Sequence, residues 1–267
     1  MNQRLAVLGA GNMGEAVLAG ALSAGWAASD VVATIRTEAK AQHLRETYQV
    51  ATTSDNVAAV RGAGIVLVGV KPKDVGALLD EIAPAVEPGA VVVTVAAGHP
   101  AAFYEERLPA GTAVVRTVPN TPAAIGAGIT AIAPGAAATE EHLAAVEHLL
   151  AGTGAVVRAA EKDLNAVSAI SGSGPAYVFY VADALAEAGV LLGLTRDVAR
   201  RLAIQTLLGA SRLMDETGEH PVILREKVTS PGGTTAAALR ALDDGGVRAS
   251  FLAAAAAARD RAQELGG

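Results

Sequence analysis

The chain has 267 residues, of which 51% are hydrophobic and 18% charged, a composition that excludes disorder as its main state. It contains no cysteine, which excludes disulfides, thiolate metal ligands and thiol nucleophiles. A net charge of -6 and an aromatic share of 3% argue against nucleic-acid binding through a basic surface or base stacking.

The sequence shows no membrane segment. The apolar run near the N-terminus is broken at once by glycines, which argues against an export signal. Two stretches without charges, Thr117–Thr139 and Leu164–Ala182, are each interrupted by proline and glycine. Neither resembles a continuous apolar helix, so we expect a cytoplasmic protein.

The first 160 residues alternate between short apolar runs and helix-like segments. This alternation predicts an α/β domain, with a doubly wound parallel sheet covered by helices on both faces. The predicted strands are Leu5–Leu8, Val31–Ile35, Ile65–Val70, Val91–Val95, Ala113–Val118, Ile129–Ala133 and Ala155–Val157. The predicted helices are Met13–Ala24, Glu38–Tyr48, Lys73–Ile82 and Glu140–Leu150.

The strand pattern ends near residue 160, and alanine-rich helical segments follow. These segments are Pro175–Leu192, Arg196–Thr217, Thr235–Leu242 and Val247–Leu265. Small side chains allow helices to approach closely, and such helices often bury themselves against a second chain, although alanine also simply favours helix. We therefore predict two domains, an α/β domain over residues 1–162 and an all-helical domain over residues 163–267.

A glycine-rich turn joins the first predicted strand to the first predicted helix. It reads Gly9-Ala10-Gly11-Asn12-Met13-Gly14. In this context Gly9 would form the tight turn, Gly11 would admit a pyrophosphate, and Gly14 would let the helix pack on the strand. Because a helix N-terminus offers free N–H groups, we predict that Asn12 and Met13 join these glycines in binding a dinucleotide.

The end of the second strand indicates which dinucleotide binds. A carboxylate there would hold the ribose 2′-hydroxyl of NAD, but this strand ends in Arg36 and Thr37. A guanidinium and a hydroxyl both suit a 2′-phosphate, which favours NADPH as the cofactor. Glu38 follows directly, which leaves NADH as the alternative.

Other residues at the same sheet edge are further candidates for cofactor binding. The carboxyl ends of parallel strands border the ligand crevice, which places Val70-Lys71-Pro72, Asn56 and Asn120 beside it. Each has a simpler interpretation. Lys71 could be a surface lysine at a helix start, Asn56 a helix cap, and Asn120 part of a proline-bounded turn.

Two glycine-rich segments in the second half precede predicted helices. They are Ser171-Gly172-Ser173-Gly174-Pro175 and Thr229-Ser230-Pro231-Gly232-Gly233-Thr234-Thr235. Both could be ordinary caps, since serine, threonine and proline are common at helix starts. Both could equally present bare backbone N–H groups to a carboxylate.

The motifs together identify the sequence as resembling the pyrroline-5-carboxylate reductases. The matching segments are GAGNMG at 9–14, VKP at 70–72, PNTP at 119–122, SGSGPAYVF at 171–179 and VTSPGGTTAAAL at 228–239. The resemblance implies an N-terminal Rossmann domain and a C-terminal helical dimerisation domain. It also implies reduction of a cyclic imine, L-1-pyrroline-5-carboxylate, to L-proline by NAD(P)H. One departure is Val118, where many relatives carry methionine.

The resemblance also implies where the chemistry lies. It places the hydroxyl of Thr235 near the imine nitrogen, with Ser230 beside it as the second catalytic candidate. The simpler interpretation of Thr235 is a helix N-cap. The substrate-binding residues that it implies are Ser173, Gly174, Gly232, Gly233, Thr234 and Thr235.

The remaining predictions concern the binding partners of the protein and two alternative functions. We expect a homodimer through the helical domain, or a larger assembly of such dimers, and a small-molecule substrate with neither nucleic acid nor membrane. The five histidines are scattered, so no metal site is predicted. One rival is a β-hydroxyacid dehydrogenase, although the early C-terminal helix lacks the lysine base that such enzymes use. The other rival is a regulator that senses NADP(H).

Overall fold

The computed structural model describes residues 4–266, and its first half is built on one eight-stranded sheet. The strands are β1 (Leu5–Leu8), β2 (Val31–Thr34), β3 (Ala51–Thr53), β4 (Ile65–Val68), β5 (Val91–Thr94), β6 (Ala113–Val118), β7 (Gly128–Pro134) and β8 (Gly154–Arg158). Their order across the sheet is β3-β2-β1-β4-β5-β6-β7-β8. Strand β3 was not among the predicted strands, because it has only three residues, two of them threonine, and lies at the sheet edge.

One strand pair departs from the predicted parallel sheet. All neighbouring strands run parallel except β6 and β7, which are antiparallel. The link between them, residues 119–127, is too short for the helical crossover that a parallel pair requires, and it forms only a single 3₁₀ turn over Thr121–Ile125. The sheet is therefore mostly, not wholly, parallel.

Helices cover both faces of this sheet. They are α1 (Asn12–Ser23), α2 (Glu38–Tyr48), α3 (Asn56–Val60), α4 (Pro72–Ile82), α5 (Ala101–Glu105) and α6 (Glu140–Leu150). Alternate side chains of β1 enter opposite cores, because successive residues of a strand point to opposite faces. Leu5 and Val7 pack in one core with residues of α1 and α6, whereas Ala6 and Leu8 pack in the other with residues of α4.

Helix α1 lies against the 3₁₀ turn Ala151–Thr153 at an unusually short distance. A Cβ added to Gly152 would lie 2.0 Å from the carbonyl oxygen of Gly20. A Cβ added to Gly20 would lie 2.5 Å from Thr153 Cγ2. Gly152 therefore requires glycine, because its neighbour is main chain that cannot rotate away. A side chain at Gly20 would first have to displace the buried Thr153 side chain.

Packing divides the chain into two compact units. The first unit ends at Ser173 and takes in the chain from Ala258 onward, and the second is Gly174–Ala257. The domain boundary predicted from the sequence lies after Lys162, eleven residues before the end of the first stretch of this unit, and stays a prediction. The remaining helices are α7 (Leu164–Val167), α8 (Gly174–Leu191), α9 (Arg196–Thr217), α10 (Pro221–Lys227), α11 (Thr234–Asp244) and α12 (Val247–Gly266).

The second unit has almost no core of its own. Helices α8 and α9 approach so closely that a Cβ on Gly189 would lie 2.7 Å from Ala199 Cβ. Within Gly174–Ala257 the buried apolar side chains are those of Ala186, Ala199 and Ala203. Large apolar side chains remain exposed on α8, α9 and α12, namely Phe179, Tyr180, Leu191, Leu202, Leu208 and Leu252. Across residues 4–266, no helix combines the length and the apolar character needed to cross a membrane.

Candidate functional site

The turn after β1 is a glycine turn for steric reasons. Gly9 has a φ of +82°, and a Cβ there would lie 2.7 Å from Val70 Cγ1. Its backbone N–H donates a hydrogen bond of 3.0 Å to Thr34 Oγ1, at the end of β2. The turn is thus held against the ends of β2 and β4, the strands on either side of β1.

The other two glycines of the motif have different surroundings. A Cβ on Gly14 would lie 2.7 Å from the carbonyl oxygen of Gly9, so Gly14 is needed for the helix to pack against the turn. Gly11 is exposed and has no heavy atom within 4 Å of an added Cβ. It is the N-cap of α1 and supplies no side chain, which leaves the first amides of the helix open. This open cradle fits a pyrophosphate.

A cleft of about 530 Å³ opens beside this turn at the carboxyl edge of the sheet. This is where open α/β sheets bind their ligands. The predicted cofactor residues that line the cleft are Gly9, Gly11, Arg36, Thr37, Asn56, Val70 and Lys71. Those outside the lining are Asn12, Met13, Gly14, Pro72 and Asn120.

Asn120 has a structural task that the sequence did not reveal. It is 9% exposed, and its Oδ1 accepts a hydrogen bond of 3.0 Å from the backbone N–H of Ile129. This bond ties the end of β6 to the start of β7. A contact between Asn120 and a cofactor stays a prediction.

Two carboxylates from α4, which were not among the predicted site residues, also line the cleft. Asp74 Oδ2 lies 3.4 Å from Arg36 Nη2. The Oε1 and Oε2 atoms of Glu81 accept hydrogen bonds of 3.3 and 3.1 Å from Asn56 Nδ2. The seven-residue spacing of these acids on a helix that begins at the sheet edge was the available signal.

Lys71 and Lys73 add positive charge to the same cleft. Lys71 is the N-cap of α4, with Pro72 as the first helical residue. Within residues 4–266 neither lysine forms an ion pair. Both ammonium groups therefore remain available to an anionic ligand.

A network of charged groups joins the first turn of α1 to α2. Glu15 is bonded to Lys40, to His43 Nε2 at 2.8 Å and to the hydroxyl of Tyr48 at 3.3 Å. Burial alone would raise the pKa of Glu15. The hydrogen bonds and charges of Lys40 and His43 together outweigh that effect, so the pKa of Glu15 lies below its usual value. Burial and the nearby Glu15 carboxylate raise the pKa of Tyr48. The network fixes α2, whose N-terminus follows Arg36 and Thr37.

The SGSGP segment joins a π-helical turn to the start of α8. Helix α7 passes into a π-helical turn over Ser168–Gly172, and Ser173 itself has helical φ and ψ angles of -84° and -20°. The Ser173 N–H donates to the Ser168 carbonyl at 2.8 Å. Gly174 opens α8 directly after this π-helical turn, one residue before the predicted start, and the substrate-binding roles of Ser173 and Gly174 stay predictions. Turns of this kind often occur at functional sites.

The TSPGGTT segment does form a turn ahead of a helix. The Gly233 N–H donates to the Ser230 carbonyl at 3.0 Å, with Pro231 and Gly232 between them and a φ of +68° at Gly232. Proline followed by glycine with positive φ is typical of a type II turn.

The turn leads directly into α11, whose N-cap is Gly233 and which contributes no side-chain cap. Thr235 is the second residue of α11, so the alternative that Thr235 is an N-cap is wrong. Within the described residues the Thr235 hydroxyl has no hydrogen-bond partner. It therefore remains available to a ligand, as do the first amides of α11.

These features define a class of protein. A mostly parallel sheet, a glycine turn opening α1 and a basic cleft at the carboxyl edge belong to a dinucleotide-dependent oxidoreductase with an added helical unit. Residues 4–98 match the family model described as NADP oxidoreductase coenzyme F420-dependent. Residues 161–265 match the model described as Pyrroline-5-carboxylate reductase dimerisation.

Full-length relatives specify the family. The chain is 43% identical to the pyrroline-5-carboxylate reductase of Corynebacterium melassecola, covering 98% of each sequence. The structure of the Coxiella burnetii pyrroline-5-carboxylate reductase is similar over 100% of both chains, with a TM-score of 0.95 and 33% identity. That of the Plasmodium falciparum pyrroline carboxylate reductase, solved with NADP bound, covers 100% of this chain and 99% of its own, with a TM-score of 0.88 and 25% identity. This chain belongs to the pyrroline-5-carboxylate reductase family, which confirms the resemblance and the fold class.

Proposed function

We propose that this protein reduces L-1-pyrroline-5-carboxylate to L-proline with NADPH, with NADH as the alternative cofactor. The observation that carries the proposal is the 43% identity to a pyrroline-5-carboxylate reductase over nearly the whole chain. When bound, NADPH supplies the hydride that reduces the imine carbon, and a proton ends on the ring nitrogen.

The residues of the cleft supply binding and orientation for the cofactor. The open amides after Gly11 suit the pyrophosphate, and Arg36 with Thr37 suits a 2′-phosphate. Val70, Lys71 and Asn56 line the same cleft. We assign Asn12, Met13, Gly14, Pro72 and Asn120 supporting positions around this binding site.

The turn before α11 supplies the groups for the substrate. The substrate carboxylate lies against the backbone around Gly232, Gly233 and Thr234, where Gly232 and Thr234 offer their N–H groups and the Gly233 N–H closes the turn onto Ser230. Ser173 and Gly174 are assigned to the same substrate. The hydroxyl of Thr235 hydrogen-bonds the ring nitrogen, and Ser230 assists. A threonine hydroxyl is too weak an acid to protonate the imine alone, so Thr235 orients the nitrogen and passes on a proton from water.

Assembly belongs to the same proposal. The large apolar side chains exposed on α8 and α9 support a homodimer formed by the helical domain, residues 163–267. Light scattering on the purified protein tests this, because a monomer at micromolar concentration would contradict it. A larger assembly of dimers and a cytoplasmic location stay predictions of the sequence.

A spectrophotometric assay tests the reaction. The protein is mixed with pyrroline-5-carboxylate and either NADPH or NADH, and oxidation of the dihydronicotinamide is followed. We expect imine-dependent oxidation, faster with NADPH. Activity confined to 3-hydroxy acids would favour a β-hydroxyacid dehydrogenase, and tight cofactor binding without turnover would favour a regulator.

A further inference from the structure

Helix α4 places carboxylates opposite the groups expected to bind the adenosine end of the cofactor. Asp74 and Glu81 both line the cleft and stand two helical turns apart, on one face of α4. They face Arg36 and Asn56, which come from the end of β2 and the start of α3. The helix thus brings negative charge to a cleft whose other charged groups are cations.

The contact between Arg36 and Asp74 is a loose one. The two atoms are 3.4 Å apart, and the side chains are 82% and 31% exposed. Within the described residues, Asp74 is the one side chain that bonds to the Arg36 guanidinium. Arg36 cannot take a 2′-phosphate and keep this contact without drawing two anionic groups together.

We propose that Asp74 is a specificity-determining residue that reduces the preference for NADPH over NADH. In the free protein the Asp74 carboxylate contacts the Arg36 guanidinium that the 2′-phosphate would bind. In the complex with NADPH the same carboxylate repels the 2′-phosphate beside Arg36. Both effects weaken binding of the phosphorylated cofactor. The inference rests on the proposed function, because it takes the cleft to be the nicotinamide dinucleotide site.

Charge explains why the effect discriminates between the cofactors. A phosphate monoester carries roughly -1.5 to -2 charges at neutral pH, whereas the ribose hydroxyl that replaces it in NADH is uncharged. Removing the Asp74 charge therefore favours NADPH and leaves NADH nearly unaffected. Asp74 also orients Arg36, but the high exposure of that guanidinium means that little orientation is lost with the carboxylate.

Calorimetric binding of NADP⁺ and NAD⁺ to the full-length protein tests the inference. We expect Asp74→Asn to lower the Kd of NADP⁺ by about fivefold, the order of one close charge contact at a protein surface, and to change that of NAD⁺ by less than about twofold. Asp80→Asn is the matched control, because Asp80 lies on the same helix, is exposed and does not line the cleft. It should leave the ratio of the two affinities unchanged.

Smaller probes isolate the phosphate. Adenosine 2′,5′-bisphosphate should gain affinity in Asp74→Asn, whereas 5′-AMP should not. In an Arg36→Gln background the gain should shrink, since the carboxylate no longer competes for the guanidinium.

The outcomes separate this inference from the proposed reaction. An unchanged or lower preference for NADP⁺ in Asp74→Asn, with NAD⁺ binding retained as the sign of a folded protein, overturns the inference alone. Wild-type protein that binds NADP⁺ but does not reduce the imine overturns the reaction alone.

Discussion

The sheet unit and the helical unit differ sharply in how they bury apolar side chains. Strands β1, β2, β4 and β5 are fully buried between helices, and two separate cores lie on the two faces of the sheet. The helical unit buries three alanines and exposes leucines and aromatic residues along α8 and α9. The sheet unit therefore completes its own cores and carries the cleft at its edge, whereas the helical unit leaves much of its apolar surface uncovered.

The largest effect should arise in the helical unit, at the residue that we expect to hydrogen-bond the ring nitrogen of the substrate. Thr235→Val keeps the side-chain shape and removes the hydroxyl, so we expect the turnover number to fall roughly 100-fold, as for a lost transition-state hydrogen bond. The KM for NADPH should hardly change, because the cofactor cleft lies in the sheet unit. Steady-state kinetics with both substrates measure this.

Thr234→Val is the matched control for that change. Thr234 is exposed, and only its backbone is assigned to substrate binding. Equal losses in the two variants would show that the helix start, and not the Thr235 hydroxyl, matters.

A second variant tests whether the exposed apolar surface is an interface. Leu202 is 54% exposed on α9, and Leu202→Glu would bury a carboxylate if a partner chain covers it. We expect the dimer to be weakened by about 3 kcal/mol, which sedimentation at several concentrations would detect. Leu202→Met should leave assembly intact, and an undisturbed Leu202→Glu dimer would exclude this part of α9 from the interface.

Two glycines in the cofactor turn should separate folding from binding. Gly14→Ala forces a Cβ against the carbonyl of Gly9 and should cost about 1–3 kcal/mol in the free energy of unfolding. Gly11→Ala meets no neighbour and should change stability by less than about 1 kcal/mol, yet weaken NADPH binding about tenfold because the added methyl blocks the pyrophosphate. Denaturant unfolding measures stability, and calorimetry measures NADPH binding. Equal losses of stability in the two variants would contradict the assignment of Gly14 to packing and Gly11 to pyrophosphate binding.

The smallest effect concerns pH and lies wholly within the sheet unit. The folded pKa of Glu15 is below its usual value near 4.5, so the ionised carboxylate stabilises the fold above that pH. This contribution is lost as the pH falls through the lowered pKa. We expect Glu15→Gln to cost about 1 kcal/mol at neutral pH and progressively less at acidic pH. Glu106→Gln, at an exposed carboxylate, is the matched control and should change the free energy of unfolding by less than about 0.5 kcal/mol in the same experiments.

The features that the sequence predicted correctly depend on short-range rules. Continuous apolar runs predicted most strands, because a strand buried on both faces needs apolar residues throughout. The spacing of Gly9, Gly11 and Gly14 predicted a turn in which two of the three glycines are sterically required. Each rule involves neighbours along the chain or one strand–helix junction.

The features that it missed depend on contacts between distant residues. Arg36 and Asp74 are 38 positions apart, and only the assembled sheet brings them together. The π-helical turn at Ser168–Gly172 has the glycine and serine content of a loop, and its helical bonding could not be distinguished from a cap by local pattern. The composition of β7 did not indicate its direction. The short connection between β6 and β7 makes this pair antiparallel.

The contact between Gly20 and Gly152 has a genetic consequence. Most damaging core substitutions can be compensated by trimming a facing side chain. At Gly152 the facing atom is a carbonyl oxygen of the main chain, so no second substitution at Gly20 can make room. A selection for intragenic suppressors of Gly152→Ala should therefore recover true revertants to glycine, and second-site changes only where they displace α1 as a whole.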